Sequence, residues 1–232
     1  MECSSGSLAI VSGMAFEAAL ATGQGIHVIY GMNPARLETQ MEHAIANGAT
    51  ALLSFGTAGG LSPALASGAV VIARGVRSDS GNYDADVAWH DYLIQQLAGA
   101  VSGDVYGAST TITSANEKSE LFNTYGTVAV DMESQHVARV ASRHGLPFAV
   151  LRVVLDDAQR TLPPAALCSA RADGTLNYVA LLRSLLTQPQ QLPAMLRLSR
   201  DHGIAKKRLL DCGNLLRSSR FGMHLAGSLN IR

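Results

Sequence analysis

Four segments of this 232-residue chain set reactive side chains directly after short apolar runs. LAIV (8–11) leads into SGMAFE, which carries Glu17. ALLSF (51–55) overlaps SFGTAGGL (54–61), where three glycines surround one hydroxyl, Thr57. Glycines at such a place let backbone amides approach an anion or a sugar hydroxyl closely, although any tight turn after a strand reads the same way. TVAV (127–130) runs into DMES, a helix start presenting Asp131 and Glu133. Two acids there can be no more than cap and dipole partners. FAVLRVV (148–154) runs into LDDA, with Arg152 inside the apolar run and Asp156 at its end. A buried arginine must find a partner, because an unpaired charge is costly away from water. None of the seven histidines follows an apolar run within these segments, which argues against histidine chemistry; His136 and His144 read as helix-surface groups. The GxGxxG dinucleotide fingerprint is missing, which disfavours a Rossmann dehydrogenase.

These segments need a scaffold. The apolar runs, with HVIY (27–30) and AVVIA (69–73), are of strand length and mostly lack polar alternation, as expected of strands covered on both faces. Helical patterns lie between them: 34–47, with Pro34 near the first turn and Gly48 as the stop, and 132–144, closed by Gly145. The alternation predicts a three-layer α/β/α fold with a mostly parallel or mixed central sheet. Ligands bind such sheets at the carboxyl ends of the strands, where the four reactive segments fall. TQPQQLP (187–193) reads as a linker, which divides the chain into a catalytic domain, 1–190, and a basic helical C-terminal tail, 191–232.

Composition narrows the class. With 47% hydrophobic and 16% charged residues and 22 glycines, the chain suits a globular enzyme rather than a disordered segment. The net charge of zero hides an asymmetry: residues 1–182 carry 9 basic and 16 acidic groups, and residues 183–232 carry 9 and 2. The tail therefore expects an anionic contact, either its own acidic body or something outside it. Cys3, Cys168 and Cys212 are odd in number and lack paired spacing, so neither a zinc site nor a disulfide framework is expected, and a reducing compartment is. The first 17 residues read as neither a signal peptide nor a membrane span, and a cytoplasmic location follows.

GTAGGL, VDMES and LRVVLDDA stand in the order and at about the spacing seen in the methylthioadenosine and adenosylhomocysteine nucleosidases and the related purine nucleoside phosphorylases, which this chain resembles. GMAFE near the start and YDADV (83–87) extend the resemblance over roughly residues 8–160. More narrowly, LDDAQRTLPPAAL and NPARLE resemble the hopanoid-associated phosphorylase branch, whose members are held to strip adenine from adenosylhopane, a triterpenoid lipid intermediate. The resemblance implies cleavage of the N-glycosidic bond of a 5′-substituted adenine nucleoside by a homo-oligomer, with no cofactor, metal or nucleic-acid partner. It makes Asp156 the general acid that protonates the purine and Glu133 the group that grips the ribose hydroxyls, with Met132 packed beside the ribose. Glu17 would orient and deprotonate the attacking water, with Gly56, Thr57 and Arg152 around it. The chemistry fits these groups. Adenine is a poor leaving anion, and a carboxylic acid with a raised pKa can contribute roughly 10² to 10⁴ in rate by protonating it.

The chain also departs from the nucleosidases. Leu155 stands where they have a serine before the catalytic aspartate, so one hydrogen bond holding the acid is missing. No aromatic residue marks the place where they stack adenine, and Asn116 offers the base a hydrogen bond instead. Ser54 stands where phosphorylases bring an arginine to phosphate, and SGMAFE supplies none, which favours water as nucleophile. Three alternatives stay open: a phosphate-dependent phosphorylase, ordinary methylthioadenosine or adenosylhomocysteine salvage, and a nucleoside-binding protein without activity. After YDADV the chain passes almost directly into the helical VAWHDYLIQQL, a short lid that suits a bulky apolar 5′ substituent. Lys206, Lys207, Arg208, Arg217 and Arg220, among Leu209, Leu210, Leu215, Leu216 and Phe221, then offer a peripheral contact with anionic lipid, against the competing expectation that this segment packs on its own body.

Overall fold

Both faces of the central sheet are apolar. A computed structural model describes residues 7–23, 25–169, 175 and 177–217. Its strands are β1 (Ser7–Ser12), β2 (Ile26–Tyr30), β3 (Ala49–Gly60), β4 (Val70–Ser78), β5 (Gly81–Asp84), β6 (Val101–Gly107), β7 (Ala129–Asp131) and β8 (Phe148–Asp156). The helices are α1 (Ala15–Leu20), α2 (Pro34–Ala46), α3 (Val87–Gln96), α4 (Ala115–Tyr125), α5 (Ser134–His144), α6 (Pro164–Ser169), α7 (Tyr178–Thr187) and α8 (Leu192–Leu216). Each apolar run singled out in the sequence meets a strand, although Ala69 precedes β4 and only Ala129 and Val130 of TVAV belong to β7. The strands that were not singled out, β5 and β6, are polar or alternating, with Ser102 and Asp104 interrupting the apolar residues of β6.

Alternation along each strand sends neighbours to opposite layers. Ala9, Val11, Leu52, Val150 and Val154 pack with Leu37 and Met41 of α2 and Val137 and Val140 of α5. Leu8, Ile10, Leu53, Phe55, Leu151 and Val153 pack with Trp89 and Leu93 of α3 and with Ala205, Leu209, Cys212 and Leu216 of α8. The sheet is mixed: β1 pairs parallel with β2 and β3, β3 with β8, β4 with β6 and β6 with β7, whereas β3–β7, β4–β5 and β4–β8 are antiparallel. Because β8 pairs with both β3 and β4, the strands β3, β7, β6, β4 and β8 close into a ring, and β2 and β1 extend from it at β3.

Helix α2 begins as its sequence requires, with the Asn33 side chain accepting from the Arg36 amide at 3.0 Å and Pro34 in the first turn. Helix α5 ends at Gly145 in the left-handed conformation, φ 62°. Across their interface Glu38 pairs with Arg139 and, at 3.0 Å, with His136, and Glu42 pairs with Arg143 at 2.9 Å. His136 is thus buried between two helices and is not the surface group its sequence position indicates; His144 stays on the rim against Glu42. Its chain neighbours, Gln135 and Val137, give no sign of the acid that α2 brings to His136.

TQPQQLP is not an extended linker. Pro189–Gln191 form one 3-10 turn leading into α8, and the buried Gln191 accepts the Ala165 amide at 2.8 Å. The proline that signals a linker also suits a helix start. Farther along α8, Leu209 and Leu216 face the core, Lys206, Lys207 and Leu210 face outward, and Arg217 donates to the Leu20 carbonyl at 3.1 Å. Arg220 and Phe221 lie outside the described residues. Among the described residues no helix is long and apolar enough to cross a membrane.

The close approach of α8 to α1 depends on Gly213, where an added Cβ would fall 2.3 Å from the Leu20 carbonyl oxygen. Gly213→Ala should therefore destabilise the protein by about 1–3 kcal/mol in urea unfolding, because backbone must move. Gly203→Ala on the same helix meets nothing within 4 Å and should be neutral or stabilising by up to about 1 kcal/mol.

Candidate active site

Parallel pairing sets the carboxyl ends of β1, β3 and β8 side by side. Val11 stands opposite Ser54, Gly56 opposite Arg152 and Gly59 opposite Asp156, and β7 joins from the other direction with Val130 opposite Gly59. The strand ends and helix starts carrying Glu17, Thr57, Asp131, Glu133 and Asp156 therefore converge on one end of the sheet.

Arg152 organises one part of it. Its side chain is fully buried, with Nε 2.5 Å from Asp131 Oδ2 and Nη2 3.3 Å from Glu133 Oε2. Nη2 also donates to Ser54 Oγ at 2.6 Å and Ser134 Oγ at 3.3 Å, and Nη1 donates to the Thr57 carbonyl at 3.3 Å. The partner demanded by a buried guanidinium is thus a set of acids and hydroxyls. Burial alone would lower its pKa, but Asp131, Glu133 and Glu17 hold it above the ordinary arginine value. Asp131 also accepts the Ser134 amide at 3.0 Å, so it serves the start of α5 as well.

Glu17 is buried beside this cluster. Its Oε1 accepts the Thr57 amide at 2.8 Å and the Thr57 hydroxyl at 2.7 Å, while Oε2 accepts the Met14 amide at 3.0 Å. Two glycines make room. A Cβ at Gly56 would fall 2.6 Å from Glu17 Oε2 and 2.7 Å from Arg152 Nη1, and a Cβ at Gly13 would fall 2.5 Å from Glu133 Oε1. Glu133 has its pKa pushed up to about 7 by burial, against the pull of Arg152 and with a further push from Asp131 and Glu17. It stands ready to change charge near neutrality.

Asp156 closes β8 through a bulge. The pairing with β3 steps from Ala58–Val154 to Gly59–Asp156, which leaves Leu155 as the extra residue. Bulges of this kind re-aim a side chain next to a site. Asp156 is 3% exposed and forms an ion pair with Lys118 of α4, which is fully buried. Burial raises the Asp156 pKa above the usual aspartate value, and Lys118 works against that rise. Lys118 also donates to the carbonyls of Asp157 at 2.8 Å and Arg160 at 3.0 Å. At about 3.3 Å per residue, Gly56 beside the Glu17–Arg152 cluster and Gly59 beside Asp156 stand about 10 Å apart along β3.

Two of the remaining candidates are less engaged. Met132 is half-buried between the two acids, and its sulfur accepts from Thr111 Oγ1 at 3.4 Å. Asn116 is exposed in the first turn of α4, turned away from the inward side that Lys118 takes. Lys118 itself was missed. Its signal was its place at the head of an apolar stripe with Leu121 and Phe122, both partly buried, where a lysine must be paired.

The sequence profile described as the phosphorylase superfamily matches residues 9–178. The chain belongs to the phosphorylase superfamily. No curated protein sequence matches it. Among solved structures, the 5′-methylthioadenosine/S-adenosyl homocysteine nucleosidase of Helicobacter pylori is 19% identical with a TM-score of 0.58, covering 66% of this chain and 86% of its own. The futalosine hydrolase of the same organism is 19% identical with a TM-score of 0.57 over the same shares. The nucleosidase of Campylobacter jejuni is 14% identical with a TM-score of 0.62, covering 90% of this chain and 99% of its own. At such identities the likeness concerns the fold. This superfamily member shares the mixed central sheet of those enzymes.

The raised pKa of Glu133 has a consequence for stability. A carboxyl that titrates higher in the folded than in the unfolded chain contributes stability below its ordinary pKa of 4.5, and that contribution is lost as the pH rises through about 7. Glu133→Gln removes this titration. The melting temperature of the variant, relative to the unsubstituted protein, should therefore climb between about pH 5 and pH 8 in parallel thermal scans.

Proposed function

We propose that this protein hydrolyses the N-glycosidic bond of a 5′-substituted adenine nucleoside. The observation that carries the reading is the charge around Glu17: among the described residues one arginine, Arg152, lies among the carboxyl groups of Glu17, Asp131 and Glu133. An entering phosphate would meet more negative than positive charge there. Water suits the place better, with Glu17 as base and the Thr57 hydroxyl and amide holding it in register. The same excess of negative charge favours an oxocarbenium-like ribose as the bond stretches, with Glu133 at the ribose hydroxyls and Met132 beside the ring.

At the other end, Asp156 is a buried carboxyl with a raised pKa, suited to protonate the leaving purine. Two of the neighbouring structures are a nucleosidase and a hydrolase by name, which agrees with water as nucleophile. That the 5′ substituent is large and apolar, as in adenosylhopane, rests on the resemblance of LDDAQRTLPPAAL and NPARLE and on the short passage from YDADV into α3. The same reading includes a homo-oligomer and a peripheral membrane contact through the exposed cations of α8.

Incubation with 5′-substituted adenosines, with and without phosphate, followed by mass analysis of the sugar, tests the reading. Free ribose derivative should appear without phosphate. Asp156→Asn should lower turnover by about a hundredfold or more with the fold intact, and Glu17→Gln should abolish ribose formation. Strict phosphate dependence with a ribose 1-phosphate product would overturn hydrolysis in favour of a phosphorylase. Absence of adenine release from every nucleoside tried would leave a binding protein.

A further inference from the structure

The general acid of this site is held by a cation. Lys118 spends its ammonium on three partners, the Asp156 carboxylate and the carbonyls of Asp157 and Arg160, and none of its side chain is exposed. Those carbonyls belong to the loop that follows β8, and Arg160 anchors the loop further through Asp157 at 3.3 Å and Asp201 of α8 at 2.8 Å. The contact crosses from α4 to the end of β8, and a Cβ at Gly59 would touch both the Asp156 carboxylate and Lys118 Cε at 3.8 Å. Leu155, the extra residue of the bulge, has no side-chain hydrogen bond to offer the acid. Position and charge must come from elsewhere.

We infer that Lys118 is the positioning residue of the general acid, fixing the Asp156 carboxyl at the end of β8 and neutralising the carboxylate that remains once the proton has gone to the leaving base. The inference rests on the reading of Asp156 as proton donor. In the step concerned, the C1′–N bond breaks with its electron pair passing to the base, and a ring nitrogen of the base takes the Asp156 proton. Asp156 is left as a carboxylate against the Lys118 ammonium. Burial alone would make the carboxyl hold its proton too tightly, and an adjacent ammonium loosens that hold. A buried ammonium needs a counter-ion whatever its role, so fastening α4 to the loop and positioning the acid are told apart by their effect on proton transfer.

The test uses Lys118→Met and Lys118→Gln in the full chain, with two substrates: an adenine nucleoside, whose base must be protonated to leave, and p-nitrophenyl riboside, whose leaving group departs as an anion. On the adenine nucleoside both variants should lose about 30-fold or more in kcat with KM within about threefold, and the basic limb of the kcat–pH profile should move up by about one unit or more. Most of the loss should vanish on p-nitrophenyl riboside. The double variant Lys118→Met with Asp156→Asn should be no slower than Asp156→Asn alone, since the two act as a unit. Glutamine keeps two donors for the carbonyls without the charge, so it answers the question if the methionine variant fails to fold. Equal losses on both substrates, an unmoved basic limb, or multiplying losses in the double variant would overturn the inference. If the unsubstituted protein releases no base from any nucleoside, the functional reading falls by itself. The pair is then read by carbon NMR of the labelled Asp156 carboxyl, and a titration midpoint unchanged in Lys118→Gln overturns the inference in that case too.

Discussion

A guanidinium sealed inside an apolar strand dictates much of what surrounds it. Arg152 has no exposed surface, and stripping one partner from a buried ion pair typically costs about 3–5 kcal/mol. Acids and other acceptors must therefore meet it from the neighbouring elements: Asp131 at the end of β7 and Glu133 just after it, Ser54 and the Thr57 carbonyl from β3, and Ser134 from the first turn of α5. The glycines follow from the same demand. Gly56 and Gly13 clear the space through which Glu17 and Glu133 approach, so SGMAFE and GTAGGL owe their small residues to carboxylates that arrive from elsewhere in the chain.

The site has two ends with different electrostatics, and β3 runs between them. At one end carboxylates outnumber the arginine, burial pushes Glu133 up to about 7, and the field favours positive charge on a bound group. At the other, a single carboxyl faces a single ammonium, and the two form a neutral ion pair when the carboxyl is without its proton. A nucleoside whose sugar becomes cationic while its base takes up a proton asks for this division. The bulge at Leu155 marks the boundary, since it ends the regular pairing of β8 and sets Asp156 opposite Gly59.

The family resemblance and the local departures are consistent with each other at this point. The superfamily match runs through residues 9–178 and takes in every strand but for Ser7 and Leu8 of β1. Within it, Leu155 offers Asp156 no side-chain hydrogen bond, and the charge that meets Asp156 comes from α4, a helix whose capping box at Ser114 and Glu117 fixes where Lys118 enters the core. The loop after β8 is drawn to the same lysine by its carbonyls, so one side chain ties together a helix, a strand end and a loop.

Much of this was legible in the residues. Apolar runs without polar alternation located six strands because strands covered on both faces need no polar side, and glycine and proline punctuation located α2 and α5. The isolated charge of Arg152 in an apolar strand required a partner, and the acids after the strands were the natural candidates. What the sequence could not supply was pairing between distant segments. β6 has no continuous apolar run to mark it and is a strand through its pairing with β4 and β7, His136 looked exposed until Glu38 reached it across 98 positions, and TQPQQLP looked like a linker until α6 lent it an amide. Lys118 lies 38 residues from Asp156. A lysine in a helix is ordinarily solvated, and only the closing of the sheet against α4 removes the water and leaves the carboxylate as its partner. Periodicity and composition are local and survive in the sequence; the desolvation that gives a charged group its partner and its pKa exists only once the elements have packed.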